Sequence, residues 1–183
     1  GGVLGKWKYI PNVDALLALH GINEGNVWLY KPVGWKFGGP PPPPPTEIII
    51  DNAPQTINDP AGGRTFSGAW CTSAGTSTFS PDSLYSCGEG SNSYRWTPNI
   101  PVAGEYDVSV RWTVFPNRSS TVPIAVTSTA GTATNEYDQK TRGDEWVLHG
   151  RYNFALGTGG FVEVSDINGQ ASADAVRFVR VNE

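Results

Sequence analysis

The chain has 183 residues, only 16% of them charged, with a net charge of −4 and no cluster of Lys and Arg. This argues against nucleic acid or an anionic membrane surface as partner. No apolar run reaches 18 residues, so no helix written here is expected to span a bilayer.

Length alone suggests one domain with an appendage, and the division falls at Gly38-Gly39 followed by six prolines, Pro40 to Pro45. Consecutive prolines lack backbone donors and have fixed φ, so they run as a polyproline II rod of roughly 19 Å at about 3.1 Å per residue. The expected organisation is an N-terminal arm (1–39), a polyproline rod (40–46) and a body (47–183). The chain starts Gly1-Gly2 and contains no methionine, which reads as a processed form whose leader has been removed or as a segment of a longer protein.

Within the arm, Lys6-Trp7-Lys8-Tyr9 alternates polar and aromatic residues. Asn12 is placed to cap a short helix from Val13 through His20, ended by Gly21. The stretches 26–30 and 33–37 read as extended and aromatic-rich, carrying Val27, Trp28, Leu29, Tyr30, Trp35 and Phe37. An arm of this size is too short to form a core of its own, so Trp7, Tyr9 and these six residues are expected to find a partner surface.

From Glu47 onward the signals are those of strands: short alternating apolar runs separated by Gly, Pro, Asn and Asp. The run 105–114 puts Tyr106, Val108, Val110, Trp112 and Val114 on one face, which is core. Further strands are read at 122–126, 146–154, 160–164 and 173–181. In the second of these Trp146, Leu148, Gly150, Tyr152 and Phe154 share a parity that would bury them and turn His149 outward. The predicted fold class is all-β: a jelly-roll-like antiparallel β-sandwich with an extended arm and a polyproline linker, with Trp112 and Trp146 inside. Cys71 and Cys87 lie in a Ser, Thr and Gly-rich stretch. Two cysteines suit a secreted disulfide better than a metal site, which would want four ligands.

The segments Ile49-Ile50-Asp51-Asn52, Phe66-Ser67-Gly68-Ala69-Trp70, Tyr94-Arg95-Trp96-Thr97-Pro98, Pro101 to Tyr106, Trp146 to Phe154 and Ala173 to Phe178, in that order and spacing, resemble the golvesin C-terminal and xanthan-lyase-type carbohydrate-binding-like domain. The resemblance covers residues 47–183 and leaves out the arm. It implies a non-catalytic β-sandwich appendage of secreted proteins and polysaccharide-degrading enzymes, with sugar binding. The stretch from Cys71 to Cys87 departs from the short loop usual there.

No nucleophile elbow, no His-Glu-x-x-His and no spaced pair of carboxylates is present, so no enzyme and no cofactor are expected. Asp174, between two alanines, is the most conspicuous polar residue. Asp51 and Asp166 are the other residues a calcium site would need, but the expected role of Asp174 is to accept backbone hydrogen bonds, with no metal. A sugar platform requires an exposed ring beside hydrogen-bonding groups. Trp70, Tyr85, Phe115 and Tyr137 are the aromatics left over from the core, and Phe115-Pro116-Asn117-Arg118 is the preferred platform, with Arg118 as polar partner. Asn117-Arg118-Ser119 also fits the N-glycosylation pattern at Asn117.

Two functions follow. One is an extracellular structural subunit whose arm inserts into a neighbouring copy; such a contact is heterologous and, where it does not close into a ring, propagates as a filament. The alternative is a secreted module that tethers to polysaccharide. Copies of the chain itself and polysaccharide are therefore the expected partners.

Overall fold

The structure, a computed structural model, describes residues 7–10, 15–20, 26–30, 46–52, 56–57, 63–88 and 91–181, and of 7–10, 15–20, 26–30 and 56–57 the backbone alone. The chain divides into two compact units, Gly1–Pro43 and Pro44–Glu183.

In the first unit, β1 (Trp7–Ile10), β2 (Ala15–His20) and β3 (Asn26–Tyr30) form an antiparallel three-stranded sheet in the order β1-β2-β3. Residues 15–20 are thus a strand and not the helix expected from Asn12 and Gly21. The sheet gives β2 a hydrogen-bonded neighbour on both edges, an arrangement that local capping signals cannot register. The register aligns Trp7, Ala18 and Trp28 in one row and Tyr9, Leu16 and Tyr30 in another. Trp35, Phe37 and the proline run lie outside the described residues.

The second unit is the β-sandwich. One sheet contains β4 (Glu47–Asp51), β5 (Thr56–Ile57), β10 (Gly104–Arg111), β13 (Val147–Phe154) and β16 (Ala175–Arg180), in the order β13-β10-β16-β4-β5. The facing sheet contains β6 (Gly63–Ser67), β9 (Ser93–Thr97), β11 (Val122–Ser128), β12 (Gly131–Tyr137) and β14 (Phe161–Ser165), in the order β12-β11-β14-β9-β6. Every pairing is antiparallel, and no described residue is helical. A small third sheet of β7 (Trp70–Thr72), β8 (Leu84–Ser86) and β15 (Ser172–Ala173) lies beside them.

Alternation explains the core. Tyr106, Val108 and Val110 of β10, with Trp112 just beyond it, point inward with Ile48, Ile50, Val176 and Phe178, and meet Tyr94, Trp96, Val122, Ile124, Val126, Val162 and Val164 from the other sheet. Val114 packs against this cluster at its margin.

The parity read for 146–154 holds only in its C-terminal half. Val108 faces Gly150, but the next residue, Ser109, faces Leu148, so His149 is an extra residue on β13, a β-bulge. Beyond it the faces exchange: Val147 is buried, Leu148 is 60% exposed and His149 is buried. Trp146 is accordingly not inside. It lies half-buried with its ring 5.3 Å from that of Phe79 and beneath the Arg177 guanidinium at 4.9 Å.

Cys71 and Cys87 form the expected disulfide, their Cα atoms 5.8 Å apart and 16 positions apart in sequence. It closes β7 and β8 into a loop with few buried apolar residues, so the crosslink acts chiefly by restraining the unfolded chain. Replacing both cysteines by serine is expected to cost about 3 kcal/mol in chemical denaturation.

Candidate functional site

The disulfide-closed strands β7 and β8 separate two aromatic groups. Directly opposite residues of antiparallel strands share a face, and Cys71 pairs with Tyr85 while Trp70 pairs with Ser86. Trp70 and Tyr85 therefore project to opposite sides.

On the side of Trp70 the rings are layered. Tyr94 is 1% exposed, fixed by a 3.0 Å hydrogen bond from its hydroxyl to the Asn52 carbonyl. Burial drives its pKa up to about 12. Trp70 meets Tyr94 edge-on at 5.4 Å and donates its indole N–H to the Ser67 carbonyl at 3.1 Å. Phe66 of edge strand β6 lies parallel to Tyr94, centroids 5.9 Å apart, and is 62% exposed. Among the described residues it is the one aromatic side chain that lies mostly in solvent. Arg64, two positions earlier on β6, projects to the same side. Sequence reasoning singled out Trp70 and missed Phe66, which it met only as part of a family motif; Phe66 lies opposite the buried Tyr94, but on an edge strand, which leaves its face open.

On the side of Tyr85 the structure assembles three of the expected glycan residues. The Arg118 guanidinium lies 4.5 Å from the Tyr85 ring and 5.3 Å from that of Phe115. A turn closed by the Arg118 N–H on the Phe115 carbonyl at 3.0 Å holds Phe115 and Arg118 together. Arg118 is not the surface group expected from sequence, because it is 2% exposed. Its Nη2 donates to Ser73 Oγ at 3.0 Å and its Nη1 to the exposed Asn117 Oδ1 at 2.5 Å, while Nε is buried without a partner. Burial depresses its pKa.

Tyr137 belongs to neither group. It ends β12 and turns inward, its ring 5.4 Å from Trp112 and 5.9 Å from His149. His149, expected in solvent, is held by the bulge. Nε2 lies 3.0 Å from the Ile124 carbonyl, which can only accept, so Nε2 carries the proton and Nδ1 accepts from the Tyr152 hydroxyl at 2.6 Å. Burial lowers its pKa and keeps it neutral.

Asp174 is fully buried. Both carboxylate oxygens accept from the Phe79 N–H at 3.2 Å, and Arg111 Nε is 3.5 Å away. Burial pushes its pKa up to about 7, with Asp51 and Asp82 pushing the same way and Arg111 opposing. Asp166 is engaged elsewhere, accepting from the Asn92 N–H at 2.7 Å and from the Asn92 side chain. Among the described residues no three His, Cys, Asp or Glu side chains are grouped to hold a metal ion.

Comparison with known proteins places these features in a family. The chain is 34% identical over 182 residues to the xanthan lyase of Bacillus sp. (strain GL1), which takes in 93% of this chain and 19% of that protein. The uncovered 7% is shorter than the arm, so the likeness reaches into residues 1–39 and is wider than the 47–183 read from sequence. A solved structure of a Paenibacillus xanthan lyase superposes with a TM-score of 0.67 and 37% identity, covering 75% of this chain and 13% of that one. The chain thus spans about a fifth of the length of the curated relative it matches. The Golvesin C-terminal domain model matches residues 54–180, more than half of the sequence, and the chain belongs to the Golvesin C-terminal domain family.

Proposed function

We propose that this chain is a non-catalytic carbohydrate-binding module of an extracellular polysaccharide-acting protein, and that Phe66, backed by Tyr94 and Trp70, is its sugar platform. The disulfide suits an oxidising compartment, and the relatives act, by name, on xanthan. The observation that carries the reading is the exposed Phe66 ring on a rigid aromatic layer. A pyranose presents an apolar face of C–H groups, and a ring held flat in solvent removes that face from water without having to be ordered on binding. Insertion of the arm into a neighbouring copy would need free strands at 7–10 and 26–30. Both are already hydrogen-bonded to β2, so strand donation would have to use their outer edges or break the sheet.

The test is affinity electrophoresis of the whole chain in gels containing xanthan. Phe66→Ala is expected to weaken binding by about tenfold or more, since covering a phenyl ring is worth about 1.5–3 kcal/mol. It should leave thermal unfolding nearly unchanged, because the side chain is already in solvent. Undiminished retardation of the variant would remove Phe66 from the site.

A further inference from the structure

Arg118 is the most buried arginine among the described residues, and its surroundings lack a counter-charge that most of the others have. Arg95, Arg111, Arg142, Arg151 and Arg177 each lie within 4 Å of an Asp or Glu carboxylate. Among the described residues no carboxylate pairs with Arg118, whose partners are two rings, the hydroxyl of Ser73 and the amide oxygen of Asn117. Burying a guanidinium without a counter-charge is costly, and cation–π contact with Tyr85 and Phe115 offsets only part of that cost. Its Nε is also buried without a hydrogen-bond partner, as are those of Arg111, Arg177 and Arg180.

The Asn117 side chain supplies the clue to what completes the site. Asn117 is exposed, and its Oδ1 sits 2.5 Å from Arg118 Nη1, a place that an incoming carboxylate oxygen would fill equally well and with a full charge. An amide on a turn at the surface can swing aside at little expense, which opens the guanidinium to a ligand. We propose that Tyr85, Phe115 and Arg118 form an anionic subsite that takes the carboxylate of a uronic acid or other acidic sugar, with Asn117 standing in for that carboxylate in the free protein. A sugar acid is chosen over an acidic peptide because of the carbohydrate-binding reading of the chain. This inference rests on the carbohydrate-binding reading but uses the opposite side of β7 and β8 from Phe66.

The experiment compares binding of the whole chain to xanthan, an acidic polysaccharide, and to xanthan whose carboxyl groups have been reduced to alcohols. The natural chain is expected to bind the acidic form at least tenfold more tightly, with a preference that fades as salt is raised. Arg118→Gln should abolish the preference while keeping the binding to reduced xanthan that Phe66 provides. Because Arg118 is buried and its replacement can unfold the loop, Asn117→Asp gives an independent arm. It changes only an exposed side chain, places a carboxylate against the guanidinium, and should occupy the subsite from within. The expected result is loss of the preference for acidic xanthan together with a higher melting temperature. Equal binding of both forms by the natural chain, or an unchanged preference in Asn117→Asp, overturns the anionic subsite and leaves the Phe66 platform standing. Binding to neither form overturns the carbohydrate reading and this proposal together. Polyglutamate bound as tightly as xanthan and in the same Arg118-dependent way would also overturn it, since the subsite would then not be reading a sugar.

Discussion

Trp112→Ala is expected to destabilise the sandwich by about 3–5 kcal/mol, the range for emptying a buried Trp site. A domain of this size has only about 5–15 kcal/mol in hand, so the variant should melt far below the natural chain or fail to fold. Trp112 is 1% exposed, just past the end of the inner strand β10, and the Tyr137 ring leans on it at 5.4 Å. Its indole N–H donates to the Thr141 carbonyl at 2.9 Å, so truncation removes a hydrogen bond from the β12–β13 connection as well as opening a cavity. Trp112→Phe would keep most of the volume and lose the bond, and should cost distinctly less. Urea denaturation followed by circular dichroism measures both; a loss for Trp112→Ala below about 1 kcal/mol would mean that the space collapses and that this end of the core is soft.

Asp174→Asn should flatten the dependence of stability on pH. The folded chain holds the Asp174 proton until about pH 7, against an ordinary value of 3.8, chiefly because burial disfavours the carboxylate, with Asp51 and Asp82 adding to the effect and Arg111 opposing it. A pKa raised on folding contributes stability that is complete below the unfolded value and is lost as pH rises through the folded one. Between about pH 4 and pH 7 the natural chain is therefore expected to lose roughly 4 kcal/mol from this group alone. Asparagine cannot ionise and still accepts from the Phe79 N–H, so the variant keeps the hydrogen bond without the loss. His149 works in the other direction: burial lowers its pKa, so its contribution is present above about pH 6.5 and lost as pH falls below that. In the variant this weaker, opposite slope should be uncovered. Melting temperatures at half-unit intervals from pH 4 to pH 8 decide the matter; parallel curves for the two proteins would show that Asp174 does not titrate in this range.

Much of the fold was legible because alternation is a local property. In β10 the period of two runs unbroken through Tyr106, Val108 and Val110, and each is buried; the same logic found β11, β14 and β16. The disulfide followed from there being two cysteines and from the kind of protein that spaces them in a polar loop. The resemblance gave the family, though its extent into the arm came only from comparison of the whole chain.

Three features were settled only in three dimensions. The bulge at His149 adds one residue opposite β10, and nothing in the local pattern of 146–154 marks where the parity breaks, so Trp146, Leu148 and His149 were assigned to the wrong faces. The helix expected over 13–20 rested on a cap at Asn12 and a glycine stop at Gly21, both local signals, yet strands on both edges bind residues 15–20 in a sheet, because hydrogen bonds to distant residues do not appear in a local propensity. The candidate sites depend on the same non-local contacts. Sequence could name Tyr85, Phe115 and Arg118 as residues left over from the core, but Tyr85 is 33 positions from Arg118, and only the folding of β8 against the turn at 115–118 stacks its ring on the guanidinium and takes that charge out of water. Phe66 shows the converse: it lies opposite the buried Tyr94, yet it is exposed because β6 is an edge strand, a property of the sheet that no single strand carries.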